Sequence, residues 1–373
     1  MKIIRSSKCS IKFATNKKKI ELNTILTEYG KVVNLFIDHF WNLTEKVDKS
    51  KLLKPIVDLP KDSWLSARLR KVAAREALDM ISASKERWKN QPNKLVKPVH
   101  KGKRMYVSCT ISELKDSKKS TEFDAWLHIA SVGNKFTMDI PVKFHKHYNR
   151  LCSKGKRLNS YIITENYVQF VFEVDTGIKK EGKTCIGIDT GINALASLST
   201  GQQLGKDVKS CIERVKRCKQ GSNGKDKARR ALKQRIDEVA KEVIKLNPDL
   251  IVVENLKNMG KNSKLKRLLS KNIRRSIGSW NWKYWLTRLE MACEANRISF
   301  RQVTPYYTSQ TCPSCNHIDR GNRSGEMFQC QSCGYTDNAD INASRNILNR
   351  FLTGKYGSCY KPINEENVTN SCL

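Results

Sequence analysis

Four cysteines in the stretch TSQTCPSCNHIDRGNRSGEMFQCQSCGYTDNADIN form two Cys-x-x-Cys pairs, Cys312 with Cys315 and Cys330 with Cys333, separated by fourteen residues. Each pair can turn two thiolates to one side, and two such knuckles close a tetrahedron of sulfur around Zn²⁺. Pro313 and Gly334 suit the tight turns this requires. Four thiolates saturate the ion, so the expected zinc is structural and not catalytic. Asp340 follows seven residues after Cys333.

Three carboxylates form a second candidate set. Asp189 ends the apolar run IGID, Glu254 ends LIVVE, and Asp340 opens the segment DINASRNILNRFL. Singly, each has an ordinary explanation: a turn residue, a strand-end charge and a helix N-cap. Together they suggest more. Two runs of β-branched residues that each end in an acid read as neighbouring strands of one buried sheet, with their carboxylates at the same edge. Crowded carboxylates raise one another's pKa unless cations intervene. All-oxygen ligands favour Mg²⁺ or Mn²⁺, and two such ions about 4 Å apart suit phosphodiester hydrolysis.

The rest of the chain must position these groups. Residues 1–25 hold an alternating edge-strand pattern, IIRSSKCSIKFAT. Residues 26–95 hold two helical patterns, one with Val32, Val33, Phe36, Ile37, Phe40 and Trp41 in a stripe, the other with Leu65, Leu69, Val72 and Ala73. Residues 96–180 change to short β-branched and aromatic runs separated by polar turns, which reads as a small antiparallel barrel or sandwich. From residue 181, KTCIGIDTGINALASLSTGQQLG reads as three strands, KDKARRALKQRIDEVAKEVIKL as a basic helix, LIVVE as a strand and WNWKYWLTRLEMACEANR as a helix. Residues 257–279 are basic and broken by Gly and Ser, a candidate phosphate-contacting segment.

The 373 residues carry 70 Lys and Arg against 36 Asp and Glu, a formal charge of +34. A surplus that large opposes compaction unless a polyanion is bound, which points to a long nucleic acid. No run of about 18 apolar residues and no signal-peptide core follows from the sequence, so a cytoplasmic protein with reduced thiols is expected. The six histidines lack ligand spacing, and no glycine cluster has a phosphate-loop pattern.

IGIDTGINALASLS, IVVENL and DNADINASRNI, with the four-cysteine element between the second and third, resemble the RuvC-type nuclease of the TnpB family. These are transposon-encoded, RNA-guided endonucleases related to miniature type V CRISPR effectors. The resemblance covers residues 183–352 specifically and residues 1–180 only in order of elements. It implies a multidomain α/β protein: an RNase H-like (RuvC) nuclease domain over 181–373 with a zinc-binding insertion at 308–337, an N-terminal helical recognition lobe, and a β-barrel-like wedge domain split between 1–25 and 96–180. It implies Asp189, Glu254 and Asp340 as the catalytic, Mg²⁺-binding triad, with guide RNA and double-stranded target DNA as partners and one chain per guide in a prokaryotic cell. The alternatives are a guided repressor that does not cut and an unguided zinc-ribbon nucleic-acid-binding protein. The occupied triad disfavours the repressor.

Overall fold

Period-two alternation in KIIRSSKCS buries Ile3, Ser7 and Cys9 on one face, giving strand β1 (Lys2–Ser10). The computed structural model describes residues 2–43, 47–49, 52–89, 91–117, 122–131, 136–256 and 279–354. They divide into two compact units, Lys2–Asp175 and the chain from Thr176 onward.

In the first unit, α1 (Asn16–Trp41) starts ten residues before the expected boundary at residue 26. Thr15 caps it by accepting from the Lys18 N–H, and Leu22, Ile25 and Leu26 extend the buried stripe backwards beneath the lysine run. The segment read as a Pro-containing link holds a short helix, α2 (Lys54–Val57). Ser66 caps α3 (Ala67–Arg87), which packs its Leu69, Ala73 and Ala77 face along α1. Glu76 is buried on that helix at 3% exposure, receiving hydrogen bonds from Tyr29 Oη (2.9 Å) and Arg104 Nε (3.0 Å). Strands β2 (Arg104–Ser108), β3 (Ser112–Asp116), β4 (Ala125–Ser131), β5 (Phe136–Val142), β6 (Gly155–Thr164) and β7 (Tyr167–Asp175) follow, with α4 (Lys146–Lys154) before β6. They form two antiparallel sheets, β1-β7-β6-β2 and β3-β4-β5. As read from sequence, β1 is an edge strand, and it pairs with β7 from Lys2–Asp175 to Ser10–Tyr167.

The second unit is built on a five-stranded sheet. Its strands are β8 (Cys185–Asp189), β9 (Ala196–Leu198), β10 (Gln203–Leu204), β11 (Leu250–Glu254) and β12 (Ser299–Val303), in the order β10-β9-β8-β11-β12. The last three in that order run parallel, and β9 and β10 run antiparallel to their neighbours. Both faces of β11 are buried, which explains its unbroken apolar run. Ile251 and Val253 pack with α5 (Val208–Arg217), α6 (Asn223–Lys245) and α7 (Trp282–Ala295). Leu250 and Val252 pack with Ile347 of α8 (Ala339–Thr353). α8 lies so close to β8 that a Cβ on Gly187 would stand 2.2 Å from the Ser344 carbonyl oxygen. Between β12 and α8 sits a small ribbon, β13 (Arg323–Ser324), β14 (Met327–Gln329) and β15 (Thr336–Asn338). The basic segment 257–278 and the tail from 355 lie outside the described residues.

Candidate active site and zinc ribbon

Asp189 and Glu254 are the last residues of two adjacent parallel strands. The register Ile188–Val253 places the two acids one step further along, at the same carboxyl edge of the sheet. Ligand crevices in such sheets open at this edge. Asp340 comes from the first turn of α8, and its charge and that of Glu254 both act on Asp189. Burial first, and then the charges of Glu254 and Asp340, push the Asp189 carboxyl up to about 8, against the opposing pull of Arg323 and the Thr190 backbone. Burial also raises Glu254, opposed by the hydroxyl of Thr308 and the charge of Arg350.

Asp340 does not cap its helix. Asn338 does, its side-chain oxygen accepting from the N–H groups of Asp340 (3.0 Å) and Ile341 (3.2 Å). The Asp340 carboxylate is thereby left for a different partner, Arg323 of the ribbon at 2.8 Å. The order of the chain makes this possible: β15 runs directly into α8, and the Ala339 N–H donates to the Glu326 carbonyl (2.8 Å). The ribbon and the third acid are thus one mechanical piece.

The ribbon is held by the two knuckles, which are built alike. Asn316 and Gly334 follow the second cysteine of each pair in left-handed conformation, φ 60° and 71°. Their N–H groups donate to the carbonyls of Cys312 and Cys330, both at 3.0 Å. The Cys312 and Cys330 N–H groups donate onward to His317 (2.9 Å) and Tyr335 (2.8 Å) carbonyls. All four Sγ atoms lie within 4.8 Å of one another. Cys312–Cys333 and Cys315–Cys330 are 3.6 and 3.5 Å apart, far beyond a disulfide. A tetrahedron with Zn–S near 2.3 Å has edges of about 3.8 Å, so the cage fits zinc. Among the described residues, it is the one group of three or more metal-ligating side chains gathered so closely.

Sequence reading missed the residues that hold the site's roof. Asn342, Asn346 and Arg350 repeat every fourth residue along α8 and are 0%, 6% and 4% exposed. Asn342 donates to the Thr311 carbonyl (3.2 Å), Asn346 to those of Thr308 (2.8 Å) and Thr311 (2.7 Å), and Arg350 to those of Thr304 and Tyr306. Together they fasten the chain between β12 and the first knuckle, and so aim the Thr308 hydroxyl at the Glu254 carboxylate. On the other side, the Trp285 indole N–H donates to Thr190 Oγ1 (3.2 Å), next to Asp189. The period-four polar repeat on the buried face of the helix was the available signal.

The stretch from α7 through the knuckles into α8 matches the family model described as Cas12f1-like, TNB domain. Residues 282–347 are what that model matches. The match joins Trp285, the four cysteines and Asp340 in one recognised segment. Over 79 residues the chain is 43% identical to the CRISPR-associated endodeoxyribonuclease Cas12f1 of Sulfoacidibacillus thermotolerans, covering 20% of this chain and 19% of that one. Over 210 residues it is 31% identical to the putative RNA-guided DNA endonuclease InsQ of Escherichia coli (strain K12), covering 48% of this chain and 52% of InsQ. The chain thus spans about half or less of the length of these relatives. Its fold is similar to that of Cas12f1 in a complex with guide RNA and target DNA, at TM-score 0.56 and 16% identity, covering 90% of this chain and 83% of the other. The TNB domain therefore sits in a chain related to TnpB-like and Cas12f1 proteins.

Proposed function

We propose that the protein is an RNA-guided DNA endonuclease of transposon origin. Its RNase H-like (RuvC) unit would cleave guide-matched DNA beside a short flanking motif. One observation carries this reading: Asp189 and Glu254 leave adjacent parallel strands at one edge, and Asp340 is brought to them by a ribbon shaped for zinc. A buried carboxylate pushed to about 8, first by burial and then by two neighbouring carboxylates, marks a site whose negative charge outweighs that of Arg323. An all-carboxylate donor set of this kind fits hard divalent cations such as Mg²⁺ or Mn²⁺, held by Asp189, Glu254 and Asp340. Bound there, they would supply an activated water and stabilise the leaving oxygen.

The chain's own residues do the positioning. Thr308 fixes one Glu254 oxygen, leaving the other for a ligand. Arg323 neutralises Asp340 and holds it against the ribbon. Trp285 anchors the turn after Asp189. The 70 cationic side chains suit a guide RNA and a DNA target, and no helix among the described residues is long and apolar enough to cross a membrane. In this reading the first unit holds the guide and its hybrid by phosphate contacts, while base pairing selects the target. One chain serves each guide.

The test is cleavage by protein purified with its bound RNA. The substrate is a plasmid library with a guide-matched target beside randomised flanks, in Mg²⁺, with Asp189→Ala in parallel. Cutting that requires the match, Mg²⁺ and Asp189 is expected. Guided binding without cutting by the parent protein would instead make it a repressor.

A further inference from the structure

The second unit has a cavity of about 770 Å³ between the first half of α6 and the residues entering α7. That is the size of site which encloses a nucleotide-sized ligand. Its floor is apolar, from Val215, Leu232 and Trp280. Its wall is a stripe of four cations, Lys225, Arg229, Arg230 and Lys233, with Asp226 the sole carboxylate lining it among the described residues.

These cations are poorly matched within the protein. Arg229 approaches Asp226 only to 4.0 Å, and Arg230 donates to the Asp226 backbone carbonyl at 3.3 Å. The Lys233 ammonium sits over the Tyr284 ring, 5.2 Å from its centroid. Among the described residues, no carboxylate pairs with Lys225, Arg230 or Lys233. The stripe from Lys225 to Lys233 rises about 12 Å along the helix. That is roughly three to four steps of a stacked strand at 3.4 Å each.

The position of the cavity gives the stripe its meaning. Asn281 lines it and begins α7, receiving the Trp285 backbone N–H at its carbonyl (3.0 Å). Trp285, one helical turn on, donates to Thr190 beside Asp189. The cavity therefore opens one helical turn from the residue that anchors the carboxylate centre.

We propose that this cavity is a strand-holding site: Lys225, Arg229, Arg230 and Lys233 grip the phosphates of the single DNA strand that enters the carboxylate centre. The assignment rests on the nuclease reading above and adds to it where the strand lies. These are positioning residues that touch the substrate backbone and not the reacting phosphate. Phosphate contacts of this type fix register without reading sequence.

The experiment uses the guide-loaded protein carrying Asp189→Ala, so that binding is measured without cleavage. Guide-matched DNA is compared with and without a single-stranded extension running past the paired region. This difference cancels binding made elsewhere by a chain of charge +34. In the parent, the extension is expected to tighten binding at least tenfold. In the combined K225A, R229A, R230A and K233A protein the gain should fall below threefold, with a salt dependence shallower by about 0.7 for every phosphate no longer neutralised. Asp226→Asn, which removes the one opposing charge, should enlarge the gain severalfold, a change that misfolding cannot imitate. An extension effect unaltered by the four substitutions would overturn the proposal. So would loss of bound guide RNA with the extension effect intact, which would give the cavity to the guide. If the parent with Asp189 restored fails to cut but the extension effect behaves as expected, the nuclease reading fails and the strand site stands.

Discussion

Replacing Asp189 with Asn should make the protein more stable while abolishing cleavage. The carboxyl titrates near 8 in the folded chain against an ordinary 3.8. Between those values the folded state binds the proton that the unfolded state has released. Stability therefore falls as pH rises from about 4 to 8, and the full penalty is present above 8. Four pKa steps at about 1.4 kcal/mol each cap the penalty at roughly 6 kcal/mol, and relaxation around the charge should leave about half of that. The amide that D189N introduces carries no charge to desolvate. By calorimetry in Mg²⁺-free buffer with zinc retained, D189N should raise the Tm of the second unit at pH 8.5 by roughly 6–10 °C. At pH 5 the gain should shrink to about a third. Saturating Mg²⁺ should raise the parent and leave D189N unmoved, closing the gap. A D189N protein equal to or less stable than the parent at pH 8.5, without Mg²⁺, would refute the idea that the site stores electrostatic strain for a cation.

Cys312→Ser should lower bound zinc below one per chain and cut cleavage at least tenfold, because Asp340 loses its support; zinc content and rate measured on one preparation check this. Asn346→Ala orphans the Thr308 carbonyl and leaves that of Thr311 to Asn342 alone, and should cost about 1–3 kcal/mol by denaturant unfolding and lower cleavage through Thr308. Gly187→Ala would force its Cβ against the Ser344 carbonyl and Leu348, so a loss of about 3 kcal/mol or an insoluble protein is expected. Glu76→Ala strips the buried Tyr29 hydroxyl of its acceptor and should lower the Tm of the first unit, with a loss of about 1–3 kcal/mol.

The sequence was most legible where one local rule governs. The short apolar, β-branched runs IGID and LIVVE gave buried strands with acids at their ends, and the cysteine spacing gave the knuckles. Helices with strong apolar stripes were also readable, as in α6, where Leu232, Ile236, Val239 and Val243 are buried. Where charge interrupted the stripe, the pattern failed. The three lysines at positions 17–19 hid the first turns of α1, and α5, with six of ten residues charged or polar, left only Val208, Ile212 and Val215 as signal. At the site, Asp340 was correctly placed at the start of a helix but given the work of Asn338. Cap identity depends on which of two neighbouring polar residues has extended backbone, and spacing alone does not decide that. The partners of Glu254 and Asp340, Thr308 and Arg323, come from segments that approach only after the ribbon folds.

The third acid also arrives last in the order of synthesis. A nascent chain shorter than 340 residues has both strand-borne acids and no complete centre, and a longer one has Asp340 held only by an unmetallated ribbon. On the proposed reading, metallation would then be a maturation step: zinc supply would set when each newly made molecule gains a firmly held third acid.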